Sequence, residues 1–159
     1  MTDFPRLLGA LHDAGVRFIV IGGAAATAHG SARLTEDLDV LYDRSPENIE
    51  RLVRALAPYA PYLRGAPPGL PFTFDAATLL RGLNFTFATS LGWIDLLGEI
   101  VGGGTWDDLS NHTVEMSLFG RPTRVLDLRR LIAVKRAAGR TKDLEAIAEL
   151  EALLEERGD

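Results

Sequence analysis

The sequence contains no cysteine, and this absence excludes several kinds of site at once. None of its 159 residues can form a disulfide framework, a thiolate zinc site or a cysteine nucleophile. The three histidines, His12, His29 and His112, are scattered, so no pair is placed to hold a metal on one helix face. The motifs G-x-S-x-G, G-x-G-x-x-G and G-x-x-x-x-G-K-[ST] are also missing, which argues against acyl-transfer, dinucleotide and P-loop chemistry.

Long apolar runs are missing as well. No apolar segment approaches the roughly 18 residues that a membrane span needs, and residues 1–6 do not begin a secretory signal. The hydrophobic content of 47% and the charged content of 25% are ordinary for a globular protein. We therefore expect one cytoplasmic domain with no membrane partner, long enough to bury a core.

The charge is small in total but uneven along the chain. A net charge of −5 argues against a protein coated in nucleic acid. Residues 121–142 nevertheless carry eight basic residues against one acid, and residues 143–159 carry seven acids against one arginine. This pattern fits either two solvated helix faces that partly neutralise each other or a basic surface for a polyphosphate or an RNA end.

The most informative stretch runs from Gly22 to Asp39. An apolar segment, residues 16–21, predicts a buried strand, and Gly22 and Gly23 then open a short helix whose free N–H groups would attract a phosphate. On the following strand, Asp37 and Asp39 share one face because side chains alternate with a period of two. Two adjacent carboxylates repel each other, and a shared divalent cation such as Mg²⁺ is a common way to stabilise them.

A third acid lies about sixty residues downstream. Residues 83–89 and 93–97 predict two strands joined by a tight turn, and Asp95 lies on one face between Trp93 and Leu97. A carboxylate between apolar neighbours is seldom buried unless it is paired or metal-bound. The preceding connection, residues 58–73, contains five prolines and two glycines, and we expect it to be irregular and to pass near the mouth of the site.

The remaining elements are predicted from periodicity and capping residues. Ser45 and Asp75 begin helices, Asp127 begins a helix that stops at Gly139, and Thr141 is expected to cap the last helix. Residues 113–119 and 123–126 predict a hairpin. His29 is expected to have a structural role at the end of the helix that Gly22 opens.

These motifs resemble those of a known family. Residues 21–23, followed by Asp37, Asp39 and later Asp95, resemble the signature of the polymerase β-type nucleotidyltransferase superfamily. Residues 22–39 and 131–147 are more particularly similar to the small bacterial branch that includes the AbiEii-type toxins of abortive-infection systems. Gly23 departs from the pattern, since serine is often found there and could offer a hydroxyl to a phosphate.

The resemblance implies a fold and a reaction. The fold is an α/β nucleotidyltransferase fold, a small mixed sheet flanked by helices, with a sheet-containing core over residues 1–126 and a helical portion over residues 127–159. The reaction is transfer of an NMP from an NTP to an acceptor hydroxyl with two Mg²⁺ or Mn²⁺ ions. Asp37, Asp39 and Asp95 would be the catalytic and metal-binding residues. Those implied to bind nucleotide are Gly22, Gly23, Arg33, Lys135 and Lys142.

Several alternatives stay open at this stage. The acceptor could be tRNA or another RNA end, a protein side chain, or a small molecule such as an aminoglycoside or lincosamide antibiotic. The chain could be the toxin of a toxin–antitoxin pair, with an antitoxin protein as partner. It could also be a catalytically weak nucleotide- or partner-binding module on the same scaffold. Arg33, Lys135 and Lys142 could equally be ordinary surface residues, with Arg33 paired to Glu36.

Overall fold

The computed structural model, which describes residues 1–158, is built on one seven-stranded mixed sheet accompanied by a two-stranded ribbon. The strands of the sheet are β1 (Phe18–Ile21), β2 (Asp37–Tyr42), β3 (Tyr62–Leu63), β4 (Asn84–Thr89), β5 (Gly92–Leu97), β8 (Thr113–Leu118) and β9 (Arg121–Leu126). The ribbon consists of β6 (Glu99–Ile100) and β7 (Gly104–Thr105).

Seven helices accompany the strands in these residues, and several begin at a capping side chain. The helices are α1 (Phe4–Asp13), α2 (Gly22–Ala28), α3 (Pro46–Leu56), α4 (Ala76–Arg81), α5 (Trp106–Leu109), α6 (Leu128–Ala138) and α7 (Asp143–Glu156), and a 3₁₀ turn covers Ala57–Tyr59. The predicted caps Ser45, Asp75 and Asp127 each accept a hydrogen bond from a backbone N–H of the first turn. These three helix starts are confirmed.

The sheet has the order β3-β4-β5-β2-β1-β9-β8, which places β2 near its centre. Strand β2 pairs antiparallel with β1 and parallel with β5. In this register Asp39 lies opposite Ile21 on one side and opposite Asp95 on the other. The register therefore brings the glycine turn after β1 and the acids of β2 and β5 to one place.

The core follows the alternation of the strands. The whole of β1 is buried, and on β2 the side chains of Leu38 and Val40 are fully buried while Asp37 and Asp39 point to the other face and stay partly accessible. Helix α1 packs against α3, and α2 packs against β1 and β2. The mixed sheet flanked by helices agrees with the fold class that the sequence predicts.

The C-terminal helices pack in series, since α6 contacts α2 and α7 contacts α6. Arg136 of α6 forms an ion pair with Glu151 of α7, so the basic and acidic segments do partly neutralise each other. The expected cap at Thr141 is wrong: α7 begins at Asp143, and Lys142 precedes it without a side-chain hydrogen bond. Asp143 is itself buried and paired with Arg140, which fixes the start of the helix instead.

No helix within residues 1–158 combines the length and the apolar character that crossing a membrane would demand.

Candidate functional site

Three carboxylates meet where β2 and β5 run side by side. Asp37 and Asp39 share a face of β2, and the parallel register places Asp95 of β5 directly beside Asp39. One oxygen from each of the three side chains lies within 4.8 Å of the other two. The side chain of Asp37 is 34% exposed and that of Asp95 is 16% exposed, so the cluster is accessible to solvent and is not part of the core.

The electrostatics of this cluster are unfavourable for three negative charges. Burial, followed by the neighbouring charges of Asp95 and Asp37, raises the pKa of Asp39 to about 8. Burial also raises the pKa of Asp95, against the opposing effect of Arg64. The Oδ1 atom of Asp39 is buried and has no hydrogen-bond partner among the described residues. An orphaned carboxylate oxygen between two further carboxylates fits a hard cation such as Mg²⁺ or Mn²⁺.

Arg64 is the residue of the site that the sequence did not reveal. Its Nη2 atom lies 2.7 Å from Asp95 Oδ1 and 3.6 Å from Asp37 Oδ2. Its guanidinium also lies over the ring of Trp93, at 4.9 Å from the ring centroid. Arg64 follows β3 in the connection that we expected near the mouth of the site, and that position was the only sequence signal for it.

Both glycines are required for a steric reason, Gly22 by its contact with Asp39 and Gly23 by its contact with Thr35. Gly22 has φ +62°, and a Cβ there would lie 2.1 Å from Asp39 Oδ2. A Cβ on Gly23 would lie 2.7 Å from the hydroxyl oxygen of Thr35. Helix α2 starts directly at Gly22, so the backbone N–H groups of its first turn lie beside the acids. A larger residue at Gly22 would displace Asp39, and a larger residue at Gly23 would displace Thr35.

A cleft of about 450 Å³ extends from the acids to the C-terminal helices. Six of the predicted site residues line it together: Gly23, Arg33, Asp37, Asp39, Lys135 and Lys142. Arg140 also lines this cleft. Gly22 and Asp95 lie outside this lining, but both adjoin Asp39.

The arginine and lysine side chains that line the cleft differ in their contacts. Arg33 pairs with Glu145 at 3.2 Å and approaches Glu149 at 3.9 Å, and both glutamates are on α7. It does not pair with Glu36, the partner considered from the sequence. Arg140 pairs with Asp143 at 2.7 Å. Lys135 is partly buried on α6, whereas Lys142 is exposed just before α7.

His29 has the structural role that we expected. It ends α2, is 4% exposed, and donates a hydrogen bond from Nε2 to the carbonyl oxygen of Leu126 at 2.8 Å. Arg157 donates to its Nδ1 atom at 2.9 Å and to its carbonyl oxygen at 2.8 Å. Burial lowers the pKa of His29, so the neutral ring is favoured. It ties α2 to the end of β9 and to the end of the chain.

No protein-family model matches the chain, and no curated protein shows significant sequence similarity to it. Solved structures do resemble it. A lincosamide antibiotic adenylyltransferase, LnuA, in a lincomycin-bound crystal structure, aligns with a TM-score of 0.63 at 12% identity, over 96% of this chain and 98% of that one. A candidate nucleotidyltransferase from Thermotoga maritima aligns with a TM-score of 0.54 at 16% identity, over 95% of this chain and 89% of that one. At such identities the likeness concerns the fold, and the fold of this chain is that of the nucleotidyltransferases.

Proposed function

We propose that this protein is a metal-dependent nucleotidyltransferase, which moves an NMP unit from an NTP to an acceptor hydroxyl. The observation that carries the proposal is the convergence of Asp37, Asp39 and Asp95 within 4.8 Å beside a cleft lined by several arginine and lysine side chains. The fold is compatible with it, since the structures that it resembles are described as nucleotidyltransferases.

The three aspartates are the residues that would hold Mg²⁺ or Mn²⁺. Two bound ions would neutralise charge on the triphosphate and make the acceptor hydroxyl easier to deprotonate. Asp37 and Asp39 would contribute to both ion sites and Asp95 to the second. The orphaned Oδ1 atom of Asp39 supports this assignment, because an unpaired buried carboxylate oxygen is otherwise costly.

The cleft would hold the triphosphate. Lys135 and Lys142 of the C-terminal segment and Arg33 of the α2–β2 connection all line it, so each could contact the β- and γ-phosphates. The backbone N–H groups at Gly22 and Gly23 would contribute further donors. Arg33 can change partners at little cost, because its side chain is 46% exposed and that of Glu145 is 91% exposed.

In the transfer step, the acceptor oxygen forms a bond to the α-phosphorus while the bond from that phosphorus to the bridging oxygen of the β-phosphate breaks. Pyrophosphate leaves with the electrons of that bond, and the hydroxyl proton passes to a base. Asp95 is the candidate base, since its carboxylate lies beside Asp39 in the acid cluster, where the acceptor hydroxyl would be bound. The arginine and lysine side chains of the cleft would stabilise the negative charge that develops on pyrophosphate.

The acceptor is the open part of this proposal. A small molecule is one candidate, since a structure with the same fold binds lincomycin. An RNA end is another, and it is the acceptor that the AbiEii-like toxin role, with an antitoxin as partner, would require. Apart from the cleft, acceptor contacts could come from residues 58–73 and 100–110, from a partner subunit, or from the basic segment at residues 121–142.

The test is a labelling experiment with an acceptor panel. The purified protein is incubated with each α-labelled NTP and Mg²⁺ or Mn²⁺, together with total tRNA, with lincosamides and aminoglycosides, or with protein alone. We expect label on one acceptor class, lost in Asp37→Asn and Asp39→Asn but not in Glu50→Gln, which alters an exposed acid of α3. NTP binding that depends on the cation, without transfer to any acceptor, would instead favour the catalytically weak binding module.

A further inference from the structure

Arg64 lies where a cation of the acid cluster would compete with it. Its Nη2 atom is 2.7 Å from Asp95 and 3.6 Å from Asp37, so its charge lies between the two carboxylates that flank Asp39. Its Nη1 atom is buried and has no hydrogen-bond partner among the described residues. The guanidinium is therefore held by charge and by the ring of Trp93, and not by a complete set of hydrogen bonds.

We propose that Arg64 is a positioning residue that competes with the divalent cation. It neutralises the acids while no cation is bound, and its side chain leaves Asp95 and Trp93 when the cation binds. This inference rests on the proposed cation site but does not depend on the transfer reaction.

The contacts of Arg64 restrict the movement to its side chain. Its backbone N–H donates to the carbonyl oxygen of Thr86 on β4 at 3.0 Å, which fixes the main chain beside the sheet. The side chain is 22% exposed and can rotate toward solvent without any strand moving. A divalent cation needs oxygen ligands at short range, and Asp95 Oδ1 is one oxygen that Arg64 now occupies. A guanidinium and a divalent cation on the same carboxylates would also repel each other.

Trp93 provides a direct optical readout of this movement. Trp93 is 41% exposed and its ring lies under the guanidinium, so departure of Arg64 should change its fluorescence. The other tryptophan, Trp106, can be replaced by phenylalanine so that Trp93 is the only emitter. In the Trp106→Phe protein, saturating Mg²⁺ or Mn²⁺ should change the emission of Trp93.

The decisive measurement is cation affinity in the absence of nucleotide. Isothermal titration of Mg²⁺ and Mn²⁺ is compared for the wild type, Arg64→Met and Arg51→Ala. Methionine keeps an apolar side chain over Trp93 but removes the charge, whereas Arg51 is a control arginine that pairs with Glu47 on α3. We expect Arg64→Met to bind either cation on the order of ten-fold more tightly, and Arg51→Ala to match the wild type. Circular dichroism checks that each variant is folded.

Equal or weaker cation binding by Arg64→Met would overturn the inference, and so would an emission of Trp93 that saturating cation leaves unchanged. Absence of cation binding in every protein would overturn both this inference and the proposed function. If no acceptor is ever labelled but Arg64→Met still binds the cation more tightly, the transfer reaction fails while the role of Arg64 stands.

Discussion

Replacing Asp39 by asparagine should stabilise the protein without cation, and the gain should grow with pH. In the folded state the pKa of Asp39 is raised from 3.8 to about 8, mainly by burial and by the charges of Asp95 and Asp37. Between these pH values the folded protein holds a proton that the unfolded chain has released. The free energy of unfolding of the wild type therefore carries a contribution that is lost as the pH rises toward 8.

The size of the effect follows from the same shift. One group that is protonated only in the folded state changes the free energy of unfolding by at most about 1.4 kcal/mol per pH unit. From about pH 5 to about pH 7.5 this gives an upper bound of roughly 3 kcal/mol. Because the site is partly open to solvent, which screens these charges, we expect about 1–2 kcal/mol. Asparagine has no charge to bury, so this loss is absent from Asp39→Asn.

The assay is urea unfolding at both pH values in the presence of a chelator. The difference between Asp39→Asn and the wild type cancels contributions that the two share, including those of His12 and His29, whose lowered pKa values act in the opposite direction. Asp107→Asn, which alters an exposed carboxylate, should show no such pH trend. A stability difference for Asp39→Asn that stays constant, or shrinks, from pH 5 to 7.5 would refute the reasoning.

Three further predictions concern the glycine turn, a buried polar side chain of α3 and the cleft. Gly22→Ala should abolish cation binding in titration calorimetry, because the new Cβ would lie 2.1 Å from Asp39 Oδ2. The control is Gly120→Ala, also at positive φ but with nothing within 4 Å of its Cβ. This variant should lose only about 1 kcal/mol of stability and should bind the cation normally. Asn48→Ala should lower the free energy of unfolding by about 2–4 kcal/mol, measured with urea, since its buried side chain makes three hydrogen bonds to residues 17 and 43. Lys135→Ala should raise KM for the NTP by about ten-fold or more with a smaller change in kcat, and an unchanged KM would remove Lys135 from the phosphate site.

The separate strands and helices and the Asp37–Asp39 pair could be predicted from the residues because their signals are local, whereas the fold class was implied by the family resemblance. The alternation on β2 places Asp37 and Asp39 on one face whatever the neighbouring strands are, and Asp95 is conspicuous between two apolar neighbours. The capping residues likewise act within one helical turn. The parallel register of β2 and β5 could not be predicted from the sequence, and this register is what places Asp95 beside Asp39.

The partners of Arg33 and Arg64 could not be predicted, because they lie far away in the sequence and not within one element. Arg33 pairs with Glu145 and Glu149, more than a hundred positions away, and not with the adjacent Glu36. Arg64 lies in a connection rich in proline and glycine, where no periodicity indicates which way a side chain points. The start of α7 was misplaced for a different reason: Asp143 is buried and pairs with Arg140, a local contact three positions away that capping preferences do not describe.

Unsatisfied groups in this fold concentrate at the proposed site. In residues 1–158 three buried side-chain polar atoms have no hydrogen-bond partner, and two of them, Asp39 Oδ1 and Arg64 Nη1, belong to the acid cluster. Gly22, with positive φ, adjoins the same cluster. The two unpaired atoms cost stability, and a fold under selection for stability alone would remove them. Their coincidence around Asp39 therefore argues that the cluster is kept for a ligand that repays the cost, and a divalent cation is the ligand that three carboxylates fit.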